Sequence, residues 1–129
     1  MRLTLFPLAV LCFAAPVFAQ DAPSIVGTWT GRSEGVGIKD GWSGGEITYV
    51  ITEQRGSAFK GYDVHNRGTD RESRGEFVGG VALDGRTIRT ADDDGITAGV
   101  LVDPNTLEQC YYKAGEDAEV SCYRLVRQP

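Results

Sequence analysis

The stretch ITAGVLVDPNTLEQCYYK, residues 96–113, decides the fold class of this chain. Before the Pro104-Asn105 pair, small and apolar residues recur at every second position. A period of two is that of a β-strand with one apolar face, and Pro-Asn between two such segments is typical of a tight turn. The stretch therefore predicts a β-hairpin whose first strand carries one apolar row. That row consists of Ile96, Ala98, Val100 and Val102.

The same pattern continues along the rest of the chain. Alternating apolar positions recur at 47–51 and 77–83, and turn-forming pairs such as Asp84-Gly85 separate the segments. The sequence of one hairpin recurs in a second one. GVALDGRTI at 80–88 and GVLVDPNTL at 99–107 share Gly-Val, then Asp, then Thr followed by Ile or Leu. Eight strands are predicted, at 25–33, 46–54, 57–65, 75–83, 86–92, 96–103, 106–113 and 118–127.

Eight antiparallel strands can close into a barrel or split into a sandwich. The nearly regular hairpin order favours an up-and-down barrel, because a sandwich with Greek-key crossings needs some long connections. The predicted fold is therefore an all-β, eight-stranded antiparallel up-and-down barrel, with a β-sandwich as the alternative. Gly31, Gly61 and Gly79 fall on predicted inward positions, where the volume they leave either stays open as a cavity or is filled by the aromatic side chains. The predicted lining is Ile47, Tyr49, Ile51, Phe59, Phe77, Val81, Ile88, Leu107, Tyr111, Tyr123 and Leu125.

The N-terminal segment MRLTLFPLAVLCFAAPVFAQ has the composition of a secretory signal peptide. Arg2 precedes an apolar run, and Val17-Phe18-Ala19 fits the small-residue rule for cleavage after Ala19. The predicted domains are thus a signal peptide at 1–19 and a single barrel domain at 20–129, located in the periplasm or outside the cell. The apolar run is short for a membrane span, and nothing later is continuously apolar, so no span is expected in the mature chain.

Charge and cysteine usage narrow the possible partners. Without Arg2 the chain holds 12 basic and 18 acidic residues, a net charge of −6, which argues against nucleic acid or an anionic membrane as partner. One of the three cysteines leaves with the signal peptide, and the remaining pair, Cys110 and Cys122, predicts a disulfide in an exported protein. If these cysteines face each other across the last hairpin, Glu108 faces Arg124 on the same side of the sheet.

Two short segments resemble a known superfamily. Gly27-Thr28-Trp29 on the first strand, and Phe59-Lys60-Gly61-Tyr62 on the third, are similar to the calycins, the lipocalins and avidins. In that superfamily the tryptophan packs across one end of an eight-stranded barrel, and the cavity opens at the other end. The resemblance implies that Trp29 is a core residue. Avidins line their biotin site with several tryptophans, whereas this chain has two, so biotin is not expected. No other cofactor is predicted.

One end of the predicted barrel is more elaborate than the other. Its connections include the two long predicted loops, 34–45 and 66–74, together with the turns at 92–95 and 115–117. Function tends to lie on loops that a rigid scaffold holds, so any site is expected at this end.

Several motifs at this end suggest chemistry but also have simpler explanations. Gly41-Trp42-Ser43-Gly44-Gly45 matches the G-x-S-x-G pattern of serine hydrolases, yet no helix follows it and a loop is predicted. His65 would need an orienting partner to act as a base, and is predicted to lie on the surface. The run Asp92-Asp93-Asp94 would suit calcium or an ordinary hairpin turn, and the turn is preferred. With one histidine and paired cysteines, no metal site is predicted.

Three functions fit these observations. The first is a non-enzymatic exported barrel that binds a small apolar ligand at the long-loop end, with an aromatic wall and Trp42 as a lid. The second is a protein-binding module, such as an inhibitor of a secreted enzyme, that uses the loops around Trp42 and Arg67–Arg74. The third is a cofactor-free cyclase or isomerase of the allene oxide cyclase type, with Asp63 as the acid. The predicted ligand-binding residues are Trp42, Tyr49, Phe59, Asp63, Phe77 and Tyr111.

Two structural features would separate these functions. An open cavity favours the first or the third function, and a packed interior favours the second. A buried Asp63 with a raised pKa would favour the third.

Overall fold

The strands of the chain run in sequence order around a closed antiparallel barrel. A computed structural model describes residues 21–129, and the predicted signal peptide lies outside the described residues. The fold prediction is confirmed, and the sandwich alternative is excluded because the last strand pairs with the first. In residues 21–129, no helix has the length and apolar character needed to cross a membrane. The strands are β1 (Gly27–Gly37), β2 (Gly41–Arg55), β3 (Ala58–His65), β4 (Ser73–Val81), β5 (Thr87–Ala91), β6 (Ile96–Asp103), β7 (Thr106–Lys113) and β8 (Glu119–Arg127).

The first hairpin is longer than the sequence predicts. Most of segment 34–45, predicted as a loop, is paired strand, and only the turn at 38–40 remains. The loop prediction rested on the many glycines of this segment, which weaken a strand by their intrinsic propensity. Pairing of Glu34–Gly37 with β8 as well as β2 overrides that propensity, because it gives the backbone partners on both sides. A Cβ on Gly35 would lie 2.7 Å from the Val120 carbonyl oxygen, so this close approach requires glycine.

The hairpin that decides the fold class is present, but its apolar row faces outward. Ile96 and Val100 are exposed on β6, whereas Thr97 and Leu101 point inward and are buried. The buried hydroxyl of Thr97 has a hydrogen-bond partner on the neighbouring strand, since it lies 2.5 Å from the hydroxyl of Thr90 on β5.

The barrel interior is filled by the predicted lining. All of the predicted lining residues except Tyr111 are buried in one core cluster, and Tyr111 packs against that cluster. Of the two alternatives for the space beside the inward glycines, the filled one is observed at Gly79 and Gly61. A Cβ on Gly79 would lie 2.4 Å from Cζ of Phe59, and one on Gly61 would lie 2.2 Å from the Val50 carbonyl oxygen. An aromatic ring and neighbouring backbone already occupy this space.

Trp29 closes the barrel at the end that carries the connections β2–β3, β4–β5 and β6–β7, called the plain end here. Its ring is fully buried, and its indole N–H donates to the Ile25 carbonyl at 3.0 Å. The backbone N–H of Ile25 in turn donates to the Gln54 side chain at 2.9 Å. The Arg127 guanidinium lies 4.4 Å from the centre of the Trp29 ring. The expectation that Trp29 is a core residue is confirmed.

The last hairpin has the predicted register. Cys110 and Cys122 form a disulfide with their Cα atoms 4.0 Å apart. The Arg124 side chain donates to Glu108 on the same outer face at 2.7 Å, as the cysteine pairing predicts.

Candidate functional site

A cavity of about 330 Å³ enters the barrel at the end opposite Trp29, called the open end here. This end carries the connections β1–β2, β3–β4, β5–β6 and β7–β8. Residues from β1 to β4, from β7 and β8, and from the β5–β6 turn line the cavity. Because the plain end is closed by Trp29, a molecule that enters the barrel reaches the interior from the open end.

The floor of the cavity is a pair of buried tyrosines. The hydroxyls of Tyr49 and Tyr123 lie 2.5 Å apart, and the side chains are 2% and 6% exposed. Gln109 Nε2 donates to the Tyr123 hydroxyl at 3.4 Å, and the Phe77 ring packs against Tyr49 with 4.7 Å between centroids. Burial raises the pKa of both tyrosines, so both hydroxyls stay protonated at neutral pH.

We expect Tyr49→Phe to lower the free energy of unfolding by about 1–3 kcal/mol, the usual cost of leaving a buried hydrogen-bonding group without its partner. The matched control is Tyr112→Phe, because Tyr112 is exposed on the same barrel. Removal of its hydroxyl should change the stability by less than about 0.5 kcal/mol. Urea denaturation measures both variants. An equal effect of the two substitutions would contradict a structural role for the buried pair.

Asp63 brings a carboxylate into the cavity from β3. Its side chain is 15% exposed, and Oδ1 accepts a hydrogen bond of 3.1 Å from the Gly75 backbone N–H on β4. His65 Nε2 lies 3.8 Å from the same oxygen. Burial raises the pKa of Asp63, while the nearby His65 acts in the opposite direction. A carboxyl with a raised pKa inside the barrel is the feature that would favour the third functional hypothesis.

We expect Asp63→Asn to stabilise the barrel at neutral pH. A carboxyl whose folded pKa is raised holds its proton more tightly in the folded than in the unfolded chain, so its ionisation costs stability as pH rises through the folded pKa. The asparagine carries no charge, and its oxygen can still accept the Gly75 N–H. The gain in melting temperature should be present at pH 7 and should disappear below the ordinary pKa of an aspartate. A variant that is less stable than the parent at pH 7 would contradict this account.

Acidic residues surround the opening of the cavity. Asp92, Asp93, Asp94 and Glu119 line it. The Asp92 carboxylate accepts the backbone N–H groups of Asp94 and Gly95 at 2.8 and 2.7 Å, which is the geometry of a hairpin turn. In the part of the chain that the structure describes, no three potential ligands converge as a metal site would require.

The structure brings some of the predicted ligand-binding residues together and separates others. Tyr49, Asp63 and Tyr111 line the cavity. Phe59 and Phe77 lie in the packed core instead, with 6.5 Å between their ring centroids. Trp42 is 87% exposed on the projecting part of the first hairpin and is not among the cavity residues. It is therefore not in the position of a lid.

Sequence reasoning missed the contribution of β8 to this site. The sequence predicts Tyr123 in the barrel lining but not among the ligand-binding residues, and it gives no indication for Ser121. The signal was present in the last hairpin, since the cysteine register puts Tyr123 beside Gln109 and Ser121 beside Tyr111.

Comparisons with known proteins support the fold. No protein-family model matches the chain, and no curated protein matches it. Among solved structures, the chain is similar to an S-type phycobiliprotein lyase from Guillardia theta, with a TM-score of 0.51 and 12% sequence identity. The match covers 81% of this chain and 89% of the lyase. This similarity supports the closed eight-stranded barrel and concerns the fold alone.

Proposed function

We propose that the protein is an exported, non-enzymatic binding protein that takes up one small molecule at the open end of its barrel. The observation that carries this proposal is the cavity of about 330 Å³, whose floor is the buried pair Tyr49 and Tyr123. This volume is near the lower limit of typical ligand pockets, about 300–1,000 Å³. Export to the periplasm or the cell exterior rests on the N-terminal segment and on the disulfide of Cys110 and Cys122.

The chemistry of the lining changes the expected ligand. The sequence predicts an apolar ligand against an aromatic wall, but two of the wall residues, Phe59 and Phe77, belong to the packed core. The cavity keeps an aromatic floor of Tyr49 and Tyr123, and serines and carboxylates form much of its walls. We therefore propose a ligand with a small apolar body that rests on the tyrosines and with polar groups at its ends.

Native mass spectrometry of residues 20–129, purified after export, tests the proposal. We expect a bound small molecule whose mass disappears on denaturation. Ser121 lines the cavity from β8, so Ser121→Phe should block the cavity and remove the bound mass. Val120→Phe places the same ring at the neighbouring position of β8, which is outside the cavity lining, and should retain the molecule. A ligand-free protein that also binds no member of a panel of small molecules would contradict the proposal.

One observation favours a second candidate, the cofactor-free cyclase or isomerase. Asp63 is largely buried in the cavity and its pKa is raised, as expected of a general acid. The test is conversion of the co-purified molecule, which Asp63→Asn should abolish. The protein-binding alternative stays a prediction, and the exposed Trp42 would be its first residue to substitute.

A further inference from the structure

We infer that the ligand is a small organic cation, with an ammonium group beside the Asp63 carboxylate and an oxygen acceptor directed to the tyrosine floor. This inference rests on the proposed function, because it names the class of molecule that the same cavity takes.

The floor presents one hydroxyl proton without a partner. Tyr49 and Tyr123 together carry two hydroxyl protons, and their mutual hydrogen bond uses one of them. Gln109 donates to the Tyr123 hydroxyl oxygen, so this hydrogen bond uses neither of the two hydroxyl protons. Whichever tyrosine donates, the other proton has no acceptor among residues 21–129. A buried donor without an acceptor is costly, and both side chains line the cavity, so an oxygen on the ligand would satisfy it.

The charges around the ligand space are strongly unbalanced. Six carboxylates line the cavity, those of Glu46, Asp63, Asp92, Asp93, Asp94 and Glu119. Arg74 borders the same space, but its guanidinium stacks 3.6 Å from the centre of the Tyr62 ring. Carboxylates around a low-dielectric cleft attract a cation and repel an anion.

The innermost of these carboxylates has a free oxygen. Asp63 Oδ1 accepts the Gly75 N–H and is the oxygen nearer to His65, whereas Oδ2 has no hydrogen bond within the described residues. An ammonium beside Oδ2 would form a charge-assisted hydrogen bond, which is about twice as strong as a neutral one. The other carboxylates surround the opening and do not converge on one point, which suits a diffuse organic cation better than a metal ion.

A matched series of small molecules tests the inference by isothermal titration. Tyramine carries both the ammonium and a phenol oxygen. Tyrosol replaces the ammonium with a hydroxyl, 4-hydroxyphenylacetate replaces it with a carboxylate, and phenethylamine lacks the phenol oxygen. We expect tyramine to bind about tenfold more tightly than tyrosol, because a hydrogen bond to a charged group contributes about 1.5–3 kcal/mol. The carboxylate should bind most weakly, and phenethylamine should bind more weakly than tyramine.

Two variants test which carboxylate is responsible for the preference for tyramine over tyrosol. Asp63→Asn should remove most of the preference for tyramine over tyrosol, and circular dichroism verifies that it folds. Glu76→Gln removes the same charge from an exposed position on β4 and should leave the preference unchanged.

The outcomes separate the two proposals. Equal or tighter binding of tyrosol or 4-hydroxyphenylacetate would overturn the cation inference and leave the proposed binding function standing. Unchanged preference in Asp63→Asn would overturn the role of that carboxylate. If no member binds and the exported protein also carries no bound mass, both the inference and the proposed function fail.

Discussion

Replacing Trp29 with alanine is expected to lower the free energy of unfolding by about 3–5 kcal/mol, the usual cost of truncating a buried aromatic residue. Trp29 is the largest fully buried side chain of the barrel. Its loss would leave a cavity at the plain end, leave the Ile25 carbonyl without its donor and remove the ring on which Arg127 stacks. Because small domains are stable by only about 5–15 kcal/mol, this single change should bring the barrel close to unfolding.

The chain contains its own control for this experiment. Its second tryptophan, Trp42, is largely exposed on the projecting hairpin, so Trp42→Ala should change stability by less than about 0.5 kcal/mol. Urea denaturation followed by far-ultraviolet circular dichroism measures both variants without relying on tryptophan fluorescence. Trp29→Phe should fall between the two, because the ring stays and the indole N–H is lost. Equal stability of the two alanine variants would mean that Trp29 does not close the plain end.

Local pattern was sufficient to predict the architecture. The period-two rows and the glycine-containing turns specify hairpins, and hairpins joined in sequence order leave few ways to arrange eight strands. The pair Cys110 and Cys122 fixed the register of the last hairpin, and that register correctly paired Glu108 with Arg124. These features depend on residues close together in the chain, which is why the sequence alone predicts them.

The features that the sequence did not predict depend on residues far apart in the chain. Within segment 34–45, residues Glu34–Gly37 pair with β8, and no local signal reveals that partner. The ring of Phe59 occupies the space above Gly79, so an inward glycine there marks close packing and not a void. The Tyr49–Tyr123 floor joins residues 74 positions apart. Closure of the barrel creates the pairing of β8 with β1 and brings Tyr49 next to Tyr123, and closure has no signature in a single strand.

Removing the disulfide is expected to lower the free energy of unfolding by about 3 kcal/mol, the chain-entropy estimate for a loop of this size. Cys110 and Cys122 are separated by 12 positions and lie opposite each other on β7 and β8. The double substitution Cys110→Ala with Cys122→Ala should still fold, because Leu107 and Leu125 pack in the core of the same hairpin. Urea denaturation at neutral pH gives the change.

Reductant provides the matched control for this prediction. Dithiothreitol should destabilise the parent protein by about as much as the double substitution does, and it should have no effect on the variant itself. The cavity offers a second measurement, because Tyr111 and Ser121 are the immediate neighbours of the two cysteines and line it. If the disulfide acts only on the unfolded chain, ligand affinity in the double variant stays at the parent value while stability falls. Weaker ligand binding by a double variant that is fully folded would instead show that the disulfide holds the walls of the cavity in place.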